Sequence, residues 1–153
     1  MPDILKSDFI DFLNALNNCN VEYIVVGGYA VIAHGYHRTT RDIDIWVNKS
    51  KKNYLSLRKA FAIFGMPVFD MTEDAFLNEE FDVFSFGRTP LQIDIITELK
   101  NAHFREAFSN SVIKEMDGIK IRFLHLNDLI AAKKAAGRHR DLDDIEKLTK
   151  KKL

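Results

Sequence analysis

Apolar residues recur along the chain at two spacings, one typical of amphipathic helices and one typical of strands. The stretch Ser7–Asn18 places an apolar residue every three or four positions, which predicts a helix. The apolar run 21–26 then ends in two glycines, as a buried strand before a turn does. A short helix is expected over 28–35, directly after this turn.

The rest of the chain mixes predicted strands with predicted helices. Asp117-Gly118 is a strong hairpin signal between two of the strands. The last helix is expected to bury a stripe formed by Leu142, Ile145 and Leu148. The fold class is therefore α/β or α+β, a mixed sheet flanked by helices. The predicted strands are 41–47, 81–86, 91–96, 112–116 and 119–123, and the predicted helices are 51–64, 73–77, 104–108, 126–136 and 141–148.

No linker or repeat divides the chain, which predicts a single domain over 1–153, with a core of about 20–125 and C-terminal helices of about 126–150. Cys19 is the only cysteine, which excludes an intrachain disulfide and a multi-cysteine zinc site and favours a reducing compartment. The start of the chain lacks a signal-peptide pattern, and no apolar run reaches membrane-spanning length. We therefore expect a cytoplasmic protein with no membrane partner. A net charge of zero argues against non-specific nucleic-acid coating.

Three aspartates occupy predicted strands, where aspartate is disfavoured and costly to bury. Asp42 and Asp44 share one face of strand 41–47, about 7 Å apart, while Arg41 alternates to the other face and is expected to be structural. Asp94 lies on strand 91–96. Such carboxylates can bridge two metal ions about 3.5–4 Å apart, and their oxygens favour Mg²⁺ or Mn²⁺ over zinc. The alternative is that they are solvated residues on an open face of the sheet.

The Gly27-Gly28 turn precedes the aspartate strand and leads into a predicted helix. Backbone amides at a helix N-terminus bind anions, and glycine lets a phosphate approach closely. The pattern is neither a dinucleotide fingerprint nor a P-loop. A plain tight turn is the alternative, but a glycine turn, a short helix and a strand bearing Asp-x-Asp form a more specific set together.

The glycine turn, the short helix and the Asp-x-Asp strand follow one another in the order found in a known superfamily. Further residues that match this superfamily lie near the C-terminus. The matching residues are Val26-Gly27-Gly28-Tyr29-Ala30, His34-Gly35, Arg38-Thr39-Thr40-Arg41, Asp42-Ile43-Asp44-Ile45, Leu129-Ile130, Lys133, Gly137-Arg138, Asp141-Leu142 and Asp144. The set resembles the core motif of the DNA polymerase β nucleotidyltransferase superfamily. It is similar to the AbiEii-like enzymes of toxin–antitoxin and abortive-infection systems and to the minimal nucleotidyltransferases. Members often carry Ser after the glycine pair, where this chain has Tyr29.

The resemblance implies a role for each matching carboxylate and glycine. Asp42 and Asp44 would hold two magnesium ions and the triphosphate. Asp94 would complete the metal site and serve as, or assist, the base on the incoming hydroxyl. Gly27 and Gly28 would cradle phosphate.

Three basic residues are candidate nucleotide ligands, and for Lys133 and Arg138 the resemblance favours this role. Arg38 could grip a phosphate, and its alternative is an ion pair with Asp42 or its loop. Lys133 and Arg138 could bind nucleotide or acceptor, and their alternative is a favourable interaction with the end of a helix. Asp141 is expected to pair with Arg138 or Lys133.

The expected activity is transfer of a nucleoside monophosphate from a nucleoside triphosphate, such as ATP, to an acceptor hydroxyl by a two-metal mechanism. The acceptor could be tRNA, a protein or a small molecule, and a partner chain or a homodimer could supply a surface for it. Trp46 could stack on a base or pack in the interior. One rival hypothesis is a non-catalytic regulatory or partner-binding module of the same fold. Another is a metal-dependent phosphodiesterase.

Overall fold

The computed structural model describes residues 6–36, 38–88 and 91–151. The expected mixture of helices and strands is confirmed, and most bounds agree to within two residues. The helices are α1 (Ser7–Asn18), α2 (Gly27–Ala33), α3 (Lys51–Phe64), α4 (Glu73–Leu77), α5 (Phe104–Asn110), α6 (Leu126–Ala136) and α7 (His139–Lys151). The strands are β1 (Tyr23–Val26), β2 (Asp42–Val47), β3 (Val83–Arg88), β4 (Leu91–Ile96), β5 (Val112–Met116) and β6 (Ile119–Phe123). None of the helices within these described ranges is long and apolar enough to span a membrane.

Local hydrogen bonds explain where the predicted bounds are wrong. The amide of Val21 donates to the carbonyl of Leu16 at 3.0 Å, so this residue closes the end of α1 and β1 begins only at Tyr23. Strand β3 lies two residues later than predicted. Helix α7 begins at His139, because the amide of Leu142 already donates to the carbonyl of Arg138.

The six strands form one sheet in the order β3-β4-β2-β1-β6-β5. Strand β2 pairs in parallel with β4, and this register sets Asp44 beside Asp94. Strand β1 runs antiparallel to β2 and sets its last residue, Val26, beside Asp44. The sheet thus brings the glycine turn and the carboxylates of both strands to one place.

The two faces of β2 differ as the alternation predicts. Ile43 and Ile45 are fully buried on one face. On the other face Asp42 and Asp44 are half-buried, and Trp46 is buried. An aromatic cluster packs α1 and α3 against the sheet, because the ring of Phe61 lies 5.4 Å from Phe12 and 4.8 Å from Phe86 of β3.

Helix α7 departs from its predicted apolar stripe. Leu148 is buried as expected, but Leu142 is 54% exposed. Asp141 and Asp144 are buried in its place. The prediction is wrong at this point because both carboxylates have cationic partners, which make their burial tolerable.

Candidate active site

A cleft of about 530 Å³ opens on the face of the sheet that carries the carboxylates. All the residues predicted for the site line it, so one cleft brings together side chains from β2, β4, α6 and the loops beside α2 and α7. These predicted residues are Gly27, Gly28, Arg38, Asp42, Asp44, Asp94, Lys133 and Arg138. The cleft is also lined by Thr39, Thr40, Arg41 and Arg140.

The cleft carboxylates, Asp42, Asp44 and Asp94, concentrate negative charge. Burial raises the pKa of Asp44 to about 7, and the charge of Asp94, a hydrogen bond shared with it and the charge of Asp42 act in the same direction. Lys133 opposes this rise only through its more distant charge. Among the described residues, no Lys, Arg or His nitrogen lies within salt-bridge distance of these three carboxylates.

One donor from the neighbouring strand and one from its own strand hold Asp94 in a fixed orientation. The hydroxyl of Ser85 on β3 donates to its Oδ1 at 2.7 Å, and the side-chain amide of Gln92 donates to the same oxygen at 2.9 Å. Sequence reasoning missed Ser85, although its position between Phe84 and Phe86 marks it as facing the opposite side from those buried rings. Gln92 shares a face with Asp94 by simple alternation.

The donor set of this cluster fits a hard divalent cation. Three carboxylates on one face offer only oxygen ligands, as Mg²⁺ and Mn²⁺ prefer. A bound cation would also offset the repulsion that raises the pKa of Asp44. In the part of the chain that the structure describes, no three acidic, histidine or cysteine side chains already form a metal-binding group. The metal site therefore stays a prediction.

Both glycines of the turn sit against other cleft residues. Gly27 has a φ of 68°, and a Cβ there would overlap the carboxylate of Asp44. A Cβ at Gly28 would lie 2.5 Å from the hydroxyl of Thr40. The close approach of backbone to side chain thus demands glycine at both positions, apart from any role in binding phosphate.

Tyr29 stands at the position where superfamily members often carry serine, but it is not among the residues that line the cleft. Its side chain is 2% exposed, and its ring meets that of Phe9 edge-on at 5.8 Å. Tyr29 is therefore part of the core.

A second charged group, which we call the α7 network, borders the cleft. Lys133 Nζ lies 3.2 Å from Asp141 Oδ1 and 3.1 Å from Asp144 Oδ2. Arg38 reaches Asp144 Oδ2 with its Nη1 at 2.5 Å. The ion pair considered as an alternative for Arg38 therefore exists, but its partner is Asp144 rather than Asp42.

Asp141 completes this network at the start of α7. Arg138 donates to Asp141 Oδ2 from its Nε at 2.6 Å and from its backbone amide at 3.1 Å. Burial by itself would raise the pKa of Asp141, but the hydrogen bonds from Arg138 and Lys133 outweigh it and hold the pKa at about 2. The predicted partnership of Asp141 with Arg138 or Lys133 is confirmed for both. Three cations share two carboxylates here, which leaves surplus positive charge beside the cleft carboxylates.

Two further arginines line the cleft. Arg41 does so although alternation predicted that it would face away, because it precedes the first residue of β2 and is not held by the strand. Arg140 was missed, since nothing in its local pattern distinguishes it from a solvent-exposed helical residue. The cleft is therefore richer in cations than the sequence indicated.

Solved structures of nucleotidyltransferases share this fold. The lincosamide antibiotic adenylyltransferase LnuA, bound to lincomycin, matches with a TM-score of 0.63 and 16% identity, over 96% of this chain and 98% of that chain. The antibiotic-resistance factor ANT(2'')-Ia matches with a TM-score of 0.64 and 13% identity, over 96% and 83% of the two chains. A putative nucleotidyltransferase from Thermotoga maritima matches with a TM-score of 0.58 and 15% identity, over 98% of each chain. At these identities the likeness is one of fold.

Sequence comparison with protein families gives the more specific result. No curated protein sequence is significantly similar to the chain. A family model described as a nucleotidyltransferase of unknown function, DUF6036, matches residues 7–150. The narrower resemblance to AbiEii-like enzymes stays a prediction. The chain belongs to the DUF6036 family of nucleotidyltransferases.

Proposed function

We propose that the protein transfers a nucleoside monophosphate from a nucleoside triphosphate to the hydroxyl of an acceptor. The observation that carries the proposal is the pairing of Asp44 with Asp94 across β2 and β4. Both half-buried carboxylates face the cleft, and no Lys, Arg or His nitrogen of the described residues lies within ion-pairing distance of them. In the reaction the acceptor oxygen bonds to the α-phosphorus. The bond from that phosphorus to the bridging oxygen breaks, and pyrophosphate leaves with its electron pair.

Asp42, Asp44 and Asp94 would hold Mg²⁺ or Mn²⁺, which when bound neutralises the triphosphate and favours the departure of pyrophosphate. Asp94 is oriented by Ser85 and Gln92 through its Oδ1. Its carboxylate is suited to accept, directly or through a water molecule, the proton that the acceptor hydroxyl releases.

The basic residues divide into two roles. Arg138 has a side chain that is 67% exposed, so it can turn toward a phosphate while its backbone amide still donates to Asp141. Lys133 and Arg38 are largely buried in ion pairs and contribute mainly a positive potential along the cleft wall. Arg41 and Arg140 add further charge where the cleft opens.

The structural relatives suggest which acceptors should be tested first. LnuA is a lincosamide adenylyltransferase, and ANT(2'')-Ia has been solved with adenylyl-2''-tobramycin. These names support ATP as the first nucleotide to test and small hydroxylated molecules as the first acceptors. A tRNA end or a protein hydroxyl remains in the same screen, as does a partner chain or second copy that supplies an acceptor surface.

The test is transfer of label from α-labelled nucleoside triphosphates in the presence of Mg²⁺ or Mn²⁺. We expect transfer to at least one acceptor class by the wild type and by Asp11→Asn, an exposed carboxylate on α1. We expect none by Asp44→Asn. Full activity of Asp44→Asn would contradict the assigned metal site.

Binding of Mg²⁺ and nucleotide distinguishes the enzyme from a non-catalytic module of the same fold. Calorimetry with Mg²⁺ and a non-hydrolysable triphosphate should give saturable heat for the enzyme and none for the module. Dependence on a nucleoside triphosphate likewise separates a transferase from a phosphodiesterase. A role in a toxin–antitoxin or abortive-infection system stays a prediction, and it is tested by the growth of cells that express the chain alone and together with its neighbouring genes.

A further inference from the structure

A groove of about 410 Å³ is lined by β3 and by the residues around the start of α4. The lining consists of residues 69–71 and Ala75, together with Phe81 and residues 83–86. We call it the β3 groove. Ser85, whose hydroxyl donates to Asp94, is part of this lining, so the groove adjoins the active-site cleft.

Strand β3 lies at one end of the sheet, so one of its two edges has no neighbouring strand among the described residues. In an edge strand, the N–H and C=O groups of every second residue point away from the sheet. Within the described part of the chain, the backbone of 83–88 forms hydrogen bonds to no element other than β4. Such an edge is a template to which a further strand can pair.

Large apolar side chains are exposed around the same groove. Phe69 is 67% exposed, Val83 49% and Phe81 47%. The ring of Phe69 stacks on that of Phe86 with 6.5 Å between the centroids, and the ring of Phe81 lies 6.4 Å from that of Phe84. Exposed apolar side chains that cluster in this way mark a surface for contact with another protein.

The backbone of Phe69 adds a second observation. Its φ of 48° lies in the left-handed region, which a bulky residue rarely adopts. An uncommon conformation in a core residue would be explained by the burial that it permits, but here it leaves the ring mostly in solvent. The conformation therefore presents an aromatic ring beside β3, as a binding surface requires.

Charge is segregated in this part of the chain. Between Lys59 and Arg88 there are six carboxylates and no Lys, Arg or His, although the whole chain has 22 residues of each sign. Asp70 lines the groove, and Glu80 and Asp82 lie just before β3. These three are exposed and have no ion-pair partner among the described residues. Their negative potential repels nucleic acids and anionic lipids and attracts a basic partner.

We propose that the β3 groove binds an extended basic segment of a partner protein, which adds to the sheet as a strand beside β3. The backbone of the segment pairs with the free edge, and its apolar side chains pack on the rings of Phe69 and Phe81. Its Lys or Arg side chains lie against Asp70, Glu80 and Asp82. A second copy of the chain fits this surface less well, because a symmetric contact would set these carboxylates against their own counterparts. The proposal does not depend on nucleotide transfer.

The test uses the full chain without nucleotide or metal. The probe is a short labelled peptide, blocked at both ends, in which lysine alternates with phenylalanine or valine. One control has glutamate in place of lysine, and the other has the same composition with its lysines grouped together. Fluorescence anisotropy should show saturable binding of the probe that weakens as salt is added, and about tenfold weaker binding of both controls. No saturable binding, or equal binding of the probe and either control, would overturn the proposal.

Two matched variants locate the binding on the sheet. Phe69→Asn removes the exposed ring and supplies a residue that tolerates the left-handed region, so the protein should stay folded. It should bind the probe about tenfold more weakly. Ile113 is 57% exposed on β5, the strand at the opposite end of the sheet, and Ile113→Asn should bind as the wild type does. Unchanged affinity of Phe69→Asn, or equal weakening by Ile113→Asn, would overturn the proposal.

The role of charge is tested at constant shape. Glu80→Gln combined with Asp82→Asn should weaken binding several-fold and reduce its dependence on salt. Asp8→Asn combined with Asp11→Asn removes the same charge from exposed positions of α1 and should have little effect. Equal effects of the two double variants would show that the peptide responds only to net charge, which would overturn the assigned surface.

The peptide backbone tests strand addition directly. N-methylation of every lysine blocks the N–H groups along one edge of the extended peptide, and N-methylation of every apolar residue blocks the other edge. Only one edge can pair with β3, so one isomer should lose binding and the other should keep it. Equal affinity of the two isomers would overturn strand addition.

The second-copy alternative is tested by sedimentation of the chain alone. We expect Phe69→Asn to leave the molecular mass in solution unchanged. A dimer that Phe69→Asn dissociates would assign the β3 groove to a second copy and overturn the proposal.

Discussion

The cleft carboxylates and the carboxylates of the α7 network are close neighbours with opposite electrostatics. Burial and the nearby Asp94 raise the pKa of Asp44 to about 7. The pKa of Asp141 stays at about 2 despite burial, because Arg138 and Lys133 donate hydrogen bonds to it. The difference teaches that burial alone does not decide the charge of a carboxylate here. The α7 network already contains its cations, whereas the cleft carboxylates have no ion-pair partner among the described residues.

The largest effect should come from removing charge from the cleft carboxylates. Asp44→Asn should lower the rate of nucleotide transfer on the order of 10³-fold or more, because one of the carboxylates expected to hold the cation is lost. The measurement is kcat under saturating Mg²⁺ and nucleotide. Asp11→Asn changes an exposed carboxylate on α1 and should keep the wild-type rate. A similar rate for both variants would contradict the assignment.

Removing charge from the α7 network should instead act first on stability. Asp144→Asn leaves Lys133 and Arg38 without a shared anion, which should lower the free energy of unfolding by about 3–5 kcal/mol. Denaturant unfolding measures the loss. Asp143→Asn is the matched control on the same helix, where the exposed carboxylate accepts from the Tyr36 hydroxyl at 3.3 Å and forms no ion pair within the described part of the chain. Its effect should stay within about 0.5 kcal/mol, and equal losses in the two variants would mean that the buried ion pairs do not stabilise the fold.

Asp44→Asn should make the metal-free protein more stable at high pH. A carboxyl group whose pKa rises on folding stabilises the native state below about pH 4, and that contribution is lost as the pH rises through about 7. At pH 8 the variant should therefore gain about 1–3 kcal/mol over the wild type, and at pH 4 little. The comparison is made by thermal unfolding in a chelator, and a destabilised variant at pH 8 would show that Asp44 is not repelled by its neighbours.

The contribution of Asp141 to folding stability should have the opposite pH dependence. Its pKa is lowered on folding, so its contribution of about 2 kcal/mol is present above pH 4 and is lost as the pH falls through about 2. Unfolding curves between pH 2 and pH 5 measure the slope. Asp141→Asn should flatten it, whereas Asp143→Asn should not. An unchanged slope in Asp141→Asn would contradict the role of the Arg138 and Lys133 contacts.

The smallest effect concerns the glycine turn. Gly27→Ala places a Cβ on a backbone of positive φ and also against the Asp44 carboxylate. Gly118 has a positive φ too, but no atom lies within 4 Å of where its Cβ would be, so Gly118→Ala carries only the backbone strain. Gly27→Ala should thus cost about 1 kcal/mol more than Gly118→Ala. The difference should shrink when Asp44→Ala is combined with Gly27→Ala, as a double-mutant cycle on unfolding free energies can measure. Fully additive changes in the unfolding free energy would show that a Cβ at position 27 does not contact the Asp44 side chain.

Local pattern was sufficient to predict most of the helices and strands. Alternation in 41–47 correctly placed Asp42 and Asp44 opposite Ile43 and Ile45. It could not reveal that Asp94 pairs with Asp44, because strand register depends on the folding of the intervening chain. The resemblance to nucleotidyltransferases supplied that grouping instead.

The same reasoning was wrong on α7. Hydrophobic periodicity treats a charged position as solvent-facing, so it selected Leu142 and passed over Asp144. The partner that makes Asp144 tolerable in the interior, Arg38, lies 106 residues earlier in the chain.

The ion pair between Arg38 and Asp144 also has a consequence for biosynthesis. Strands β2 and β4 are synthesised well before α7, so a nascent chain can assemble the carboxylate face of the cleft first. Until α7 follows, Arg38 and Lys133 lack Asp141 and Asp144 as partners. The ion pairs that border the cleft are therefore completed only when α7 has been made.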